Sequence, residues 1–186
     1  FLNEAKSEGF AVEGVELSPD TAAIARARYR INVSVGALTD LKTESALFDC
    51  ITLWDVVEHL ENPIEHLKSA HKLLGKNGLV ILNTPNFAGI FPKAAYPLGK
   101  LTGYWPHTDP PFHLFQFSEK SICFALEQAG FQIKSVIHDR ISMRYTFGGL
   151  KSHLKEPWRN LYSAVFAPLA YFGPFVNSGD RVIVIA

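Results

Sequence analysis

FDCITLWDVVEHLENPIEHLKSAHKLLGKNGLVILNTPN, running from Phe48 to Asn86, decides the fold of this chain. Residues 48–54 form a short apolar run of the length expected for a buried strand. Asp55-Val56-Val57-Glu58-His59 follows. Asn62-Pro63-Ile64-Glu65 reads as a helix start, with proline at the first helical position and a glutamate placed to reach back to the cap. Leu67, Ala70 and Leu74 recur at helical spacing, and Gly75 and Gly78 stop the helix. Residues 79–83 form a second strand, closed by Thr84-Pro85-Asn86. Strand, helix and strand in this order make the crossover unit of a parallel sheet.

The same alternation extends towards the amino end. Residues 10–17 read as a strand, Ser18-Pro19 as an N-cap and first helical residue, and Ala22, Ala23 and Ala25 carry that helix to Tyr29. A β-branched strand follows at 31–35, stopped by Gly36. The opening FLNEAKSEGF reads as the last turns of a helix ended by Gly9.

Towards the carboxyl end the rhythm breaks. Residues 87–117 are rich in proline, glycine and aromatics and show no period. Order returns at Ser118, an N-cap. Ile122, Ala125, Leu126 and Ala129 form one helical face, Gly130 ends it, and 131–137 read as a strand. A second irregular region, 138–179, holds an apolar stripe of Trp158, Leu161, Tyr162, Val165, Phe166 and Leu169. Gly179-Asp180 turns into a last strand at 181–186, expected to pair with the preceding strand as an antiparallel edge. The expectation is one domain over 1–186 with insertions at about 87–117 and 139–178.

Hydrophobic residues make up 47% of the chain and charged residues 19%, so it is globular rather than disordered. Lys+Arg and Asp+Glu balance at 18 each, which leaves no electrostatic case for a nucleic-acid partner. Cys50 and Cys123 sit in apolar runs and are expected as buried free thiols, which favours a cytoplasmic setting. No signal peptide is visible, and the apolar stretch at 165–176 is about half the length of a membrane span.

In open parallel sheets, ligands bind beyond the carboxyl ends of the strands. Glu16 ends the first strand, where a carboxylate can accept both hydroxyls of a ribose; the alternative is a solvated strand-end acid. Asp55, Glu58 and His59 cluster after the third strand, with helix capping as their alternative role. No Cys or His pair has zinc-ligand spacing, so no metal is expected, and no G-x-S-x-G nucleophile elbow occurs.

The run from Phe48 to Asn86 resembles the fourth and fifth motifs of class I S-adenosylmethionine-dependent methyltransferases, nearest to the small-molecule group that includes the ubiquinone-biosynthesis O-methyltransferases. GFAVEGVELSPDTAAIARAR, residues 9–28, resembles their second-strand motif. HLFQFSEKSICFALEQAGF, residues 113–131, resembles the segment leading into their late helix. The resemblance implies a Rossmann-like, doubly wound, mostly parallel α/β sheet with an antiparallel last strand. It implies S-adenosylmethionine as cofactor and methyl transfer to a small-molecule acceptor, aromatic or lipid-like, at oxygen rather than nitrogen or carbon. Glu16 would hold the ribose hydroxyls, with Leu17 and Ser18 at the same strand end and Leu17 near the adenine. Gly36, Ala37 and Leu38 would frame the adenine. Trp54, Asp55 and Val56 would line the cleft beside the methionine part, and His59 belongs to the recurring Glu-His pair.

The family's first strand and Gly-x-Gly turn have no counterpart here. The chain is therefore expected to be N-terminally truncated, because strands 10–17 and 48–54 would otherwise each lack a central neighbour. Each buried unpaired backbone group costs roughly 1–3 kcal/mol.

If the acceptor must lose a proton, His113 is the candidate base and His107 the second; the alternative for each is a loop histidine bonded to backbone. Phe87, Phe91, Tyr96, Tyr104, Trp105, Phe112 and Phe115 of the first insertion are expected to choose the acceptor. Core packing and a homodimer interface are the alternatives for such side chains. The Trp158–Leu169 stripe has lid, core and membrane-surface contact as its open destinations. A non-catalytic methyltransferase-like scaffold and a dehydrogenase on a similar sheet are the competing functional classes.

Overall fold

The computed structural model describes residues 1–41, 48–102, 113–148 and 158–186. The chain divides into two compact units, Phe1–Ser45 and Ala46–Ala186.

The first unit contains α1 (Leu2–Ser7), β1 (Glu13–Glu16), α2 (Pro19–Tyr29) and β2 (Asn32–Val35). Ser18 caps α2 as read: its Oγ accepts the Thr21 N–H at 3.2 Å, and Pro19 occupies the first turn. β1 and β2 pair in parallel, with Glu16 opposite Val35. Ala22, Ile31 and Val33 form a small core, backed by Leu2, Val12 and Ala25. β1 is shorter than the run 10–17. Phe10 and Leu17 at its two ends are each 68% exposed, so apolar character alone overextended it.

The second unit holds β3 (Phe48–Trp54), α3 (Pro63–Leu73), β4 (Leu74–Pro85), α4 (Ile90–Thr102), α5 (Glu119–Gln128), β5 (Ser135–Asp139), α6 (Met143–Phe147), α7 (Trp158–Phe172) and β6 (Arg181–Ile185). Its sheet has the order β3-β4-β6-β5. β3 and β4 are parallel, while β6 is antiparallel to both β4 and β5. Three strands therefore point one way, and only β6 opposes them. The last strand is antiparallel as expected, but it is not at the edge: it fills the gap between β4 and β5, and β5 is the border. Val182 and Val184 are fully buried there.

Other elements depart from the sequence reading for local reasons. β4 begins at Leu74 and absorbs Gly75 and Gly78, because the pairing shifts register between Phe48 and Cys50 and the glycine-bearing segment bulges. β5 starts at Ser135 rather than Phe131. The Phe131 N–H still donates to the Leu126 carbonyl, and its ring packs edge-on against His71, so it closes α5 instead of opening a strand. The aperiodic region 87–117 contains α4, hidden by Pro92, Pro97 and Gly99. Its buried Phe91, Pro92, Ala95 and Gly99 nevertheless share one face.

α5 is capped as read, with Ser118 Oγ accepting from the Ser121 N–H and Ser121 Oγ from the Ser118 N–H (3.2 and 2.8 Å). α3 packs on α5, while α4 and α6 each pack on α7. The latter group encloses a core of Phe91, Ala95, Phe147, Tyr162, Phe166 and Ala170. Both cysteines are free, but Cys50 is exposed on β3 and Cys123 half-buried, so the expected buried thiols are not found. Among the described residues no helix is long and apolar enough to cross a membrane.

Candidate functional site

In the first unit, Glu16 and the turn from Gly36 to Leu38 meet at the carboxyl ends of two parallel strands. Gly36 donates its N–H to the Glu16 carbonyl at 3.1 Å. Its φ of +133° suits glycine, and this conformation lets the next residue, Ala37, donate its N–H to Asp40 Oδ2 at 2.8 Å. The half-buried Glu16 side chain is oriented by the Ser18 N–H, which donates to Oε1 at 2.9 Å. Leu17 projects into solvent between them.

In the second unit, β3 ends at the half-exposed Trp54, and Asp55 follows in the left-handed region at φ +51°. That conformation is uncommon for a residue with a side chain, and three contacts hold it. The Asp55 N–H donates to Asn83 Oδ1 (2.6 Å), Asn83 Nδ2 donates to Asp55 Oδ1 (3.3 Å), and Arg181 Nη2 donates to both carboxylate oxygens (3.4 and 3.3 Å). β3, β4 and β6 thus fix one aspartate together. Val56 stays exposed, while Val57 and Glu58 turn inward.

Glu58 is 1% exposed. Thr84 Oγ1 donates to its Oε2 at 3.0 Å, and its Oε1 has no partner among the described residues. Burial pushes its carboxyl pKa up, opposed by a backbone hydrogen bond and by Thr84. Its main-chain carbonyl accepts the N–H groups of Leu114 and Phe115 (2.9 and 3.1 Å). This clamp brings His113 to His59, their rings 4.8 Å apart and edge-on. Among the described residues, Glu58, His59 and His113 are a group that could hold a cation, their ligand atoms lying within 4.8 Å of one another. Spacing rules could not find this group, because His113 comes from far along the chain.

Beside it, Pro85, Asn86, Phe87, Pro92, His113, Phe115, Gln116 and Asp180 line a small open depression. Of the aromatics assigned to the first insertion, Phe87 and Phe115 face this depression, whereas Phe91 is fully buried in the core. Tyr96 packs edge-on against Phe87 at 4.9 Å. His107, Tyr104, Trp105 and Phe112 lie outside the described residues. The 158–169 stripe divides: Tyr162 and Phe166 join the core, while Trp158, Leu161 and Val165 are exposed.

The sequence reading passed over Asp180, taking it for a turn residue. It is 2% exposed, its Oδ1 accepts the Ile141 N–H at 2.8 Å, and burial raises its pKa to about 6. Only the antiparallel entry of β6 brings it to the carboxyl ends of the other strands, and a linear reading gave no signal for that.

The Methyltransferase domain profile matches residues 1–136. A Mycolicibacterium smegmatis protein described as a probable S-adenosylmethionine-dependent methyltransferase is 27% identical over 127 residues, covering 68% of this chain and 45% of that protein. The matched part of the chain thus spans under half of that relative's length. A SAM-dependent methyltransferase from Archaeoglobus fulgidus superposes with a TM-score of 0.63 at 17% identity, covering 100% of this chain and 80% of its own. Another from Methanosarcina mazei gives 0.65 at 14%, covering 98% and 84%. At these identities the structural matches establish the fold.

Proposed function

The chain belongs to the methyltransferase-domain family, and on that premise we propose that it transfers a methyl group from S-adenosylmethionine to a small-molecule acceptor, aromatic or lipid-like, at oxygen. The observation that carries the acceptor half of this reading is the placement of His113 in an apolar depression with Phe87, Pro92 and Phe115. A mostly apolar lining with a few polar groups is the chemistry that suits a small organic acceptor.

S-adenosylmethionine supplies an electrophilic methyl group, so the protein's work is binding, orientation and exclusion of water. Glu16 fits the ribose role: it is a half-buried carboxylate at a strand's carboxyl end, aimed by the Ser18 N–H, beside a glycine turn. Leu17 and Ser18 with Gly36, Ala37 and Leu38 serve the adenine side. Asp55 serves the methionine side between Trp54 and Val56, its left-handed backbone fixed by Asn83 and Arg181. His59 supports His113 by ring contact. His113 takes the proton that the acceptor hydroxyl loses, with His107 as the second candidate. Phe87 and Phe115 keep the reacting oxygen away from bulk water.

Isothermal titration of the full-length protein with S-adenosylmethionine should give saturable binding; none would sink this reading. With an acceptor found by S-adenosylhomocysteine release, His113→Ala should lower turnover by about 100-fold or more. Unchanged turnover would remove the base role.

A further inference from the structure

α7 carries two apolar stripes rather than one. Tyr162, Phe166 and Ala170 join the core. On its outer side Trp158, Leu161, Val165 and Phe172 recur at helical spacing, and the turn that follows adds Phe175 and Val176. This second stripe faces water: Leu161 is 71% exposed, Val165 53%, Phe172 60% and Phe175 72%. A surface helix ordinarily carries polar side chains outside its buried face. From 158 to 178 the chain has one charged residue, Arg159. An exposed apolar stripe of this extent marks a surface that meets something other than water.

Charge says what that is. α4 and α6 pack on α7. Residues 87–102, 140–148 and 158–178, which make up these helices and their approaches, carry Lys93, Lys100, Arg140, Arg144 and Arg159 and no Asp or Glu. The chain balances at 18 of each sign, so the negative excess lies elsewhere. Lys93, Lys100 and Arg144 are exposed. The Arg140 guanidinium lies 4.5 Å from the centroid of the Tyr171 ring, at the carboxyl end of the stripe. Tyr171 in turn touches Phe172 and Phe175, with ring centroids 5.1 and 6.3 Å away. Cations and exposed aromatic rings thus occur together.

We propose that this face docks on a lipid surface with anionic headgroups, α7 lying flat with Leu161, Val165, Phe172 and Phe175 at the boundary of headgroups and acyl chains. The neighbouring Lys and Arg side chains meet the headgroups. Trp158 and Tyr171 stand near the two ends of α7, and these are the residue types favoured at a membrane's polar boundary. The 15 residues of α7 reach roughly 22 Å, which suits lying on a bilayer rather than crossing it. A second copy of the chain is the competing occupant. A two-fold pair through this face would set the same cations against each other, with no acid in these segments to offset them. The proposal does not depend on the methyl-transfer reading.

Co-sedimentation of the full-length protein with vesicles tests it. Vesicles of phosphatidylglycerol and phosphatidylcholine in equal parts should bind at least about tenfold more tightly than phosphatidylcholine alone, the gain from two or more cations at an anionic surface. Molar salt should remove most of that preference. Leu161→Ser combined with Phe175→Ser should weaken binding to the mixed vesicles by about tenfold or more. Lys93→Glu combined with Arg144→Glu should erase the preference for them. All four side chains are exposed, so melting temperatures should stay near that of the wild type. No binding to the mixed vesicles, equal binding to both kinds, or binding unchanged by the Leu161 and Phe175 substitutions would overturn the proposal. So would a dimer in sedimentation velocity that those substitutions abolish, without vesicle binding, since a second copy then covers the face. If the Leu161 and Phe175 variant does not fold, the wild-type comparison and the Lys93 and Arg144 variant still decide.

Discussion

Asp180 holds a carboxyl group where there is little water to solvate its charge. Its pKa is raised from 3.8 to about 6, chiefly by burial, and raised further by the Asp139 charge; the hydrogen bonds of the Ile141 N–H and its own backbone, and the nearby Arg181, pull the other way. A carboxyl whose folded pKa exceeds its unfolded one binds more protons when folded. Stability therefore falls as pH rises through the interval from about 4 to about 6, and the full penalty, about 3 kcal/mol, applies above it. Asp180→Asn should accordingly raise the melting temperature at pH 8 and leave it little changed at pH 4. An equal gain at both values would mean that charge is not the cause. Thr84→Val tests the second buried carboxyl: removing the one side-chain donor to Glu58 among the described residues should cost about 1–3 kcal/mol in denaturant unfolding.

Among the elements, the segments entering α4 and β6 and the end of β5 approach closely through two glycines. A Cβ on Gly89 would collide with the backbone at Gly179, and one on Gly179 with the backbone of Asp139. Gly179→Ala should lower the denaturation midpoint by a stability loss of about 1–3 kcal/mol or more, since backbone can yield only by moving a strand. Gly75→Ala is the control: its Cβ would make only an ordinary contact with the Phe48 carbonyl, so a near-neutral effect is expected.

These elements also mark what the sequence could tell. β3 was legible to the residue because an apolar run ended at a polar cluster, and α2 and α5 because Ser18 and Ser118 are local caps. α4 was not legible, because Pro92, Pro97 and Gly99 outweigh its buried face in any propensity sum. In the candidate site, Glu16, Asp55 and His59 were visible as strand-end residues. The pairing of His59 with His113 and the arrival of Asp180 were not, since they depend on a carbonyl clamp and a strand direction that have no local signature.

At the scale of the whole molecule, the described aromatic side chains divide among core, pocket and open surface. Phe91, Phe147, Tyr162 and Phe166 unite three helices of the second unit, with Phe91 fully buried and 5.3 Å from the Phe147 ring. Phe91→Ala should cost about 3–5 kcal/mol. All three tryptophans, Trp54, Trp105 and Trp158, belong to this unit, so their fluorescence is the appropriate readout. A loss below about 1 kcal/mol would mean that the cavity collapses and the cluster is not a packed core.

The placement of β6 also bears on how the second unit assembles as it is synthesised. β4 and β5 are joined only through a strand that follows both in the chain, so each leaves the ribosome with an edge that has nothing to pair with. Ile81 must wait for Ile185, and Asp55 for Arg181, before sheet and pocket exist. Contacts of such sequence separation form slowly, and open edges invite pairing with other chains in the interval. The strand that carries Asp180 to the pocket is thus also the one whose docking ends the period of greatest aggregation risk.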